Sequence, residues 1–161
     1  MSMDHAAWVE IKAKVDLYGF AVDTLRWDLF DRIFVDRDLD IIYATGAWTD
    51  REQLKTDFHD YHKDLIGTQH VMTNFVCDVS GNSASGVTYG HWLLLRPDGS
   101  SFRGQGWYED VFRRETDGWK IQRRHPHVIW HEGQVLTTSG KDAGKRNKSL
   151  HDSAHAAAMM R

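Results

Sequence analysis

Two periodicities divide the chain. Over residues 4–34, Trp8, Ile11, Val15, Tyr18 and Val22 recur at steps of three and four, the stripe of an amphipathic helix. A second helical stretch, TLRWDLFDRIF, sets Leu25, Leu29, Phe30 and Ile33 on one side, with Thr24 as the cap between the two. DLDIIYATG reads as a short strand ending at Gly46. TDREQLKTDFHDYHKDLIG reads as a third helix, opened by a capping box of Thr49 and Glu52 and closed by Gly67. The period then falls to two. Four strands are predicted over residues 68–79, 85–96, 101–115 and 118–131, joined at the turn sequences SGNS, RPDGS and TDG. No long crossover links them, so this half of the sheet is antiparallel. Helices followed by an antiparallel meander predict an α+β domain, its helices on one face of a curved sheet and a pocket between the layers. That domain spans 1–136. From 137 to 161 the chain is a polar, basic tail whose end, LHDSAHAAAMMR, has the makings of a short helix.

Composition narrows the class. The 161 residues suit one domain, and 41% apolar with 27% charged residues is the balance of a soluble globular chain. A net charge of −3 offers no reason to expect nucleic acid or an anionic membrane as partner. Cys77 is the only cysteine, so no intrachain disulfide can form. The N-terminal sequence lacks the apolar core of a signal peptide and no run is long enough to span a bilayer; the expected compartment is the cytoplasm. Seven Trp, seven Phe and five Tyr supply flat walls for a partly hydrophobic ligand. Phe102, Tyr108 and Phe112 share one strand face, with Trp107 on the other.

Ten histidines direct attention to acid–base or metal chemistry. Strand alternation puts His70, Met72 and Asn74 on one face, a mixed wall more typical of a pocket than of a core. Asp23 follows apolar Val22 at the end of the first helical stretch. It either caps the helix beginning at Leu25 or points inward to hold a histidine. A carboxylate-held imidazole has a fixed tautomer and a raised basicity, as a general base requires.

The order of elements and four segments resemble the nuclear-transport-factor-2-like (cystatin-like) superfamily in its SnoaL-like branch, and within it the scytalone dehydratases. The segments are YGFAVDTLRWDLF, LDIIYATG, GTQHVM and DGWKIQRRHPHVIWHEG, and the likeness covers about residues 8–133. It implies a cone-shaped α+β barrel and a lyase without a cofactor. His70 would be its base, Asp23 the partner that orients it, and Tyr43 the donor that polarises a substrate carbonyl. His91 lies near the position of the family's second catalytic histidine. The similar bile-acid dehydratases carry a tyrosine five residues before the Asp, a position filled here by Tyr18. Departures stand beside the likeness. The family's tyrosine before the Asp is Val22 here, and its Ser and Asn on a later strand fall near Gly106 and Tyr108. The implied reaction removes a proton next to a carbonyl and expels a β-hydroxyl; isomerisation and retro-aldol cleavage use the same base. The implied substrate is small, partly hydrophobic, and aromatic or polycyclic, of the kind met in polyketide or aromatic metabolism. Tyr108, Met72, Asn74, Phe102, His125 and His127 are the expected substrate contacts. A homodimer or homotrimer is the implied assembly.

Two rival readings remain open at this point. His125, His127 and His131 cluster in sequence and invite a metal, although no HExxH or paired CxxC accompanies them; no metal is expected. A non-catalytic binding or assembly module would need only the fold, with Trp107, Val111 and Trp92 on a contact face. His59 and His62 read as residues of a solvated helix face. Convergence of Asp23, His70 and Tyr43 on one cavity separates enzyme from binder.

Overall fold

The structure is a computed structural model that describes residues 4–134; the expected tail helix lies outside the described residues. Helix α1 (His5–Asp23) starts at Asp4, whose carboxylate accepts the Ala7 amide, and buries Ala7, Ile11, Val15, Tyr18 and Val22. It stops at Thr24, whose hydroxyl donates to the Phe20 carbonyl rather than capping a following helix. A 3-10 turn (Trp27–Leu29) leads into the single-turn helix α2 (Phe30–Ile33). The predicted first strand is a hairpin of two, β1 (Asp40–Tyr43) and β2 (Gly46–Trp48). Helix α3 (Arg51–His62) is shorter than its pattern predicts. Asp50, not Thr49, caps it by accepting the Gln53 amide, and the helix ends at His62. Gly67 therefore opens a strand instead of closing the helix.

The four predicted strands appear as β3 (Gly67–Ser80), β4 (Ser83–Leu95), β5 (Ser101–Glu115) and β6 (Gly118–Glu132). They form the expected antiparallel meander. The whole sheet is mixed, because β1 runs parallel to β6, and its order is β2-β1-β6-β5-β4-β3. It is curved and open, a cone-shaped α+β fold with the helices on the inner face. Each inner-face Ile, Leu or Phe so buried contributes roughly 1.5–3 kcal/mol. No helix among the described residues is long and apolar enough to cross a membrane.

The core holds a charge. Arg124 of β6 faces Asp110 of β5 in register, and both side chains are fully buried. The guanidinium donates from Nε to Oδ1 at 2.8 Å and from Nη2 to Oδ2 at 2.6 Å. Its plane lies over the rings of Tyr18 and Tyr108, at 4.3 and 4.6 Å from their centroids. Burial works against the guanidinium charge, but the Asp110 carboxylate outweighs it and raises the pKa. Removing one partner of such a pair leaves an uncompensated buried charge, at a cost of about 3–5 kcal/mol. Asp110→Ala is expected to lose that much in denaturant unfolding, and adding Arg124→Met to recover most of it. Equal stability of the single and double variants would contradict the coupling.

Candidate functional site

The site grows from the junction of α1 and β3. Gly19 lets the helix lie against the strand: a Cβ there would meet the His70 carbonyl oxygen at 3.0 Å and Met72 Cγ at 3.3 Å. One turn later Asp23, the last helical residue, reaches His70 with both carboxylate oxygens. Oδ2 accepts the His70 backbone N–H at 2.8 Å, and Oδ1 lies 2.8 Å from ring Nδ1. Asp23 is thus not a helix cap. Facing a carboxylate, Nδ1 carries the proton, and Nε2 is left with its lone pair. Among the described residues Nε2 makes no hydrogen bond.

Beside the dyad lies a group of phenols. Tyr43, at the end of β1, donates its hydroxyl to that of Tyr18 at 2.8 Å. The Tyr18 ring stands edge-on to His70, at 6.2 Å between centroids, and 6.1 Å from Tyr108. Burial raises the pKa of Tyr18, Tyr43 and Tyr108, while the charge of Arg124 pulls each of them down. All three stay protonated near neutrality and can donate.

A cleft of about 120 Å³ opens beside Asp23, lined by Asp23, Leu25, His62, Leu65, Ile66, Gly67 and Thr68. It reaches the carboxylate of the dyad and not the His70 ring or Tyr43. Leu25 lines it with a φ of 56°, a left-handed conformation that costs a branched side chain on the order of 1 kcal/mol. His62 is buried here, not solvated. Its Nδ1 donates to the Phe58 carbonyl at 2.7 Å and its ring stacks on Phe58. Burial pushes its pKa down to about 4, against the Phe58 hydrogen bond; His70 adds to the depression and Asp23 opposes it.

The remaining expected residues divide by sheet face. Met72, Tyr108 and Phe102 face inward, Tyr108 and Phe102 as core residues. Asn74 does not. A bulge sets Thr73 and Asn74 opposite Tyr89 alone, so both are exposed and Phe75 takes the inner position. His91 is exposed on the outer face, because its neighbour Trp92 packs inward on Tyr108. Trp92 is accordingly no part of an outer contact face. His125 and His127 also lie outside, since Arg124 between strands of aromatics takes the inward parity. His125 sits 3.4 Å from Asp40, and His127 stacks on Trp107 and lies 3.4 Å from Glu109. The histidines of β6 therefore do not converge with His70. Sequence reasoning missed Arg124, Asp110 and His62. Asp110 carried a signal: it shares parity with inward Tyr108 and Phe112, and an acid on that face demands a cation.

A family model for the SnoaL-like domain matches residues 5–125. The uncharacterized protein Rv2910c of Mycobacterium tuberculosis is 30% identical over 122 residues, 72% of this chain and 81% of that protein. Among solved structures, the Kfla4162 protein from Kribbella flavida is 18% identical, covers 81% of this chain and 95% of its own, and superposes with a TM-score of 0.76. A candidate scytalone dehydratase from Novosphingobium aromaticivorans is 17% identical, covers 89% and 97%, and has a TM-score of 0.76. A protein of cystatin-like fold from Nostoc punctiforme and a nuclear-transport-factor-2-like protein from Salmonella share the architecture. At such identities the structural likenesses establish the fold.

Two outcomes follow for the site. Gly19→Ala gains up to about 1 kcal/mol of helix propensity yet makes the His70 carbonyl and Met72 give way slightly, so the His70 Nδ1–H proton resonance should move upfield or broaden while stability changes little. An unchanged resonance would contradict the close-packing account. For His62, the unfolded chain takes up a proton near pH 6.5 and the folded one only near 4. Its contribution is full above pH 6.5 and is lost as pH falls toward 4, by up to about 3 kcal/mol. Unfolding of His62→Phe should lack that component of the pH dependence.

Proposed function

The chain belongs to the SnoaL-like domain family, and on that premise we propose that it is a cofactor-independent lyase, dehydratase-like in its chemistry. The family includes dehydratases and isomerases. The observation that supports the reading is the Asp23–His70 pair, which fixes the imidazole with the Nε2 lone pair unused by the described residues, as a base requires.

In the proposed reaction Nε2 of His70 removes a proton from the carbon next to a substrate carbonyl. The electron pair left behind becomes an enolate. Tyr18 donates to its oxygen while Tyr43 donates to Tyr18 from behind, a well-placed donor being worth about 3 kcal/mol, and the buried Arg124 charge lies over the Tyr18 ring. Collapse of the enolate expels the β-hydroxyl, which leaves as water with the proton that Nε2 now carries. His91, on the outer face, takes no part, so one imidazole serves as base and then as acid. Isomerisation returns the same proton to another carbon. Retro-aldol cleavage breaks the carbon–carbon bond instead. All three begin at His70. The partners of this reading are a small, partly hydrophobic carbonyl substrate and further copies of this chain in a homodimer or homotrimer, which light scattering tests.

One observation favours a different reading. The cleft is far smaller than the several hundred Å³ usual for ligand pockets, and neither His70 nor Tyr43 lines it. A non-catalytic module binding a small group would fit that volume. Turnover separates the two. Purified protein is incubated with a panel of aromatic and alicyclic β-hydroxy ketones, and enone formation is followed by absorbance. The expected result is turnover of at least one member, a loss of about 10²–10⁴-fold in Asp23→Asn, loss to background in His70→Ala, and an unchanged rate in His91→Ala. Turnover that survives His70→Ala would sink the proposal.

A further inference from the structure

His62 has no role in the chemistry just described, yet its placement is specific. It ends α3 with its ring held between Phe58, stacked at 5.6 Å and 23°, and Trp27 at 5.3 Å. The Nδ1–H is committed to the Phe58 carbonyl. That bond fixes the tautomer, so Nε2 carries a lone pair and no proton. Among the described residues nothing donates to it. The side chain forms one wall of the cleft and Asp23 another, with apolar Leu25, Leu65 and Ile66 between them. The depressed pKa keeps the ring neutral at physiological pH. At the cleft, then, His62 can accept a hydrogen bond and cannot donate one.

The other polar groups sharpen this. Both oxygens of the Asp23 carboxylate already accept from His70, and the hydroxyl of Thr68, the remaining polar side chain of the lining, lies 3.5 Å from His70 Nδ1. A guest that brings only acceptors, a carboxylate or phosphate above all, finds one donor in the Thr68 hydroxyl and otherwise meets the His62 lone pair and the Asp23 charge. A guest that brings a hydroxyl or N–H donor on a flat apolar body satisfies His62 while its body covers the leucine and isoleucine side chains. We propose that His62 Nε2 is the specificity-determining acceptor for a hydroxyl or N–H donor on the substrate, and that the substrate is a neutral hydroxylated or amino-bearing ring compound. The inference rests on the cleft beside the dyad being the substrate site. His62 touches bound substrate and takes no part in moving protons.

A binding test needs no turnover. Phenol and toluene match in size and differ in the donor. Their binding at pH 7 is measured by ligand-observed NMR, and the ¹⁵N shift of His62 Nε2 is followed in labelled protein. The wild-type protein is expected to prefer phenol by roughly tenfold, the value of one hydrogen bond, with the Nε2 resonance moving upfield on phenol addition only. His62→Phe keeps the aromatic stack and should bind both compounds alike. His62→Gln keeps an acceptor and should retain part of the preference. His91→Ala, on the outer face, should retain all of it. The proposal is overturned by equal or absent binding of the two probes to wild type, or by a preference that survives in His62→Phe. Retained phenol preference in a protein that turns over no β-hydroxy ketone would remove the lyase reading and leave this inference standing.

Discussion

The carboxylate of Asp23 does two jobs with one residue of β3. It accepts the backbone N–H and the ring N–H of His70, so it fixes at once where the helix lies on the strand and how the imidazole is turned. β3 is an edge strand. An edge offers unpaired backbone groups, and here one of them is taken by a side chain from another element. The ring cannot flip without losing the second bond. A base so held loses little entropy on reaching its transition state. Gly19 eases it, since a Cβ there would press on the His70 carbonyl at 3.0 Å.

Behind the dyad the interior is arranged around a positive charge. Isolated, Arg124 could not be buried; Asp110 and the two facing phenol rings make it possible. The arrangement adds little stability for its size, because desolvation offsets most of the attraction. Its consequence is electrostatic. Burial alone would drive the phenols of Tyr18, Tyr43 and Tyr108 still further from ionisation, and Arg124 restrains that drift. In the proposed reaction, negative charge developing near Tyr18 would meet a fixed cation already in place.

Much of this was legible from pattern. The four long strands follow from alternation and turn chemistry, and their bounds agree with the fold within three residues. What failed, failed at irregularities. The bulge at Thr73 and Asn74 consumes two residues against Tyr89 and turns Asn74 outward. The shifts in β6 near Gln122 and Ile129 break parity, so counting along the strand could not say that Arg124 points in while His125 and His127 point out. His91 was readable in principle, for a tryptophan as its neighbour claims the inner face. The third helix was extended to Gly67 because glycine commonly ends helices, whereas the chain leaves the helix at His62 and spends the next residues on the cleft. Asp23 and His70 are 47 residues apart. No periodicity joins them, and their pairing was visible only through resemblance.

The cleft is built almost wholly from connections. Leu25 belongs to the turn after α1, and Leu65 and Ile66 to the link between α3 and β3. The dyad and the buried ion pair stand on regular elements. Connections tolerate change that strands do not, so the guest can be altered at Leu25, Leu65 and Ile66 without disturbing the base or the core. Leu25 already sits in a strained conformation, and relief of that strain is one local route by which the cleft could widen toward Nε2. The geometry of the Asp23–His70 pair is set by the sheet and α1, and the volume of the cleft by two short connecting segments.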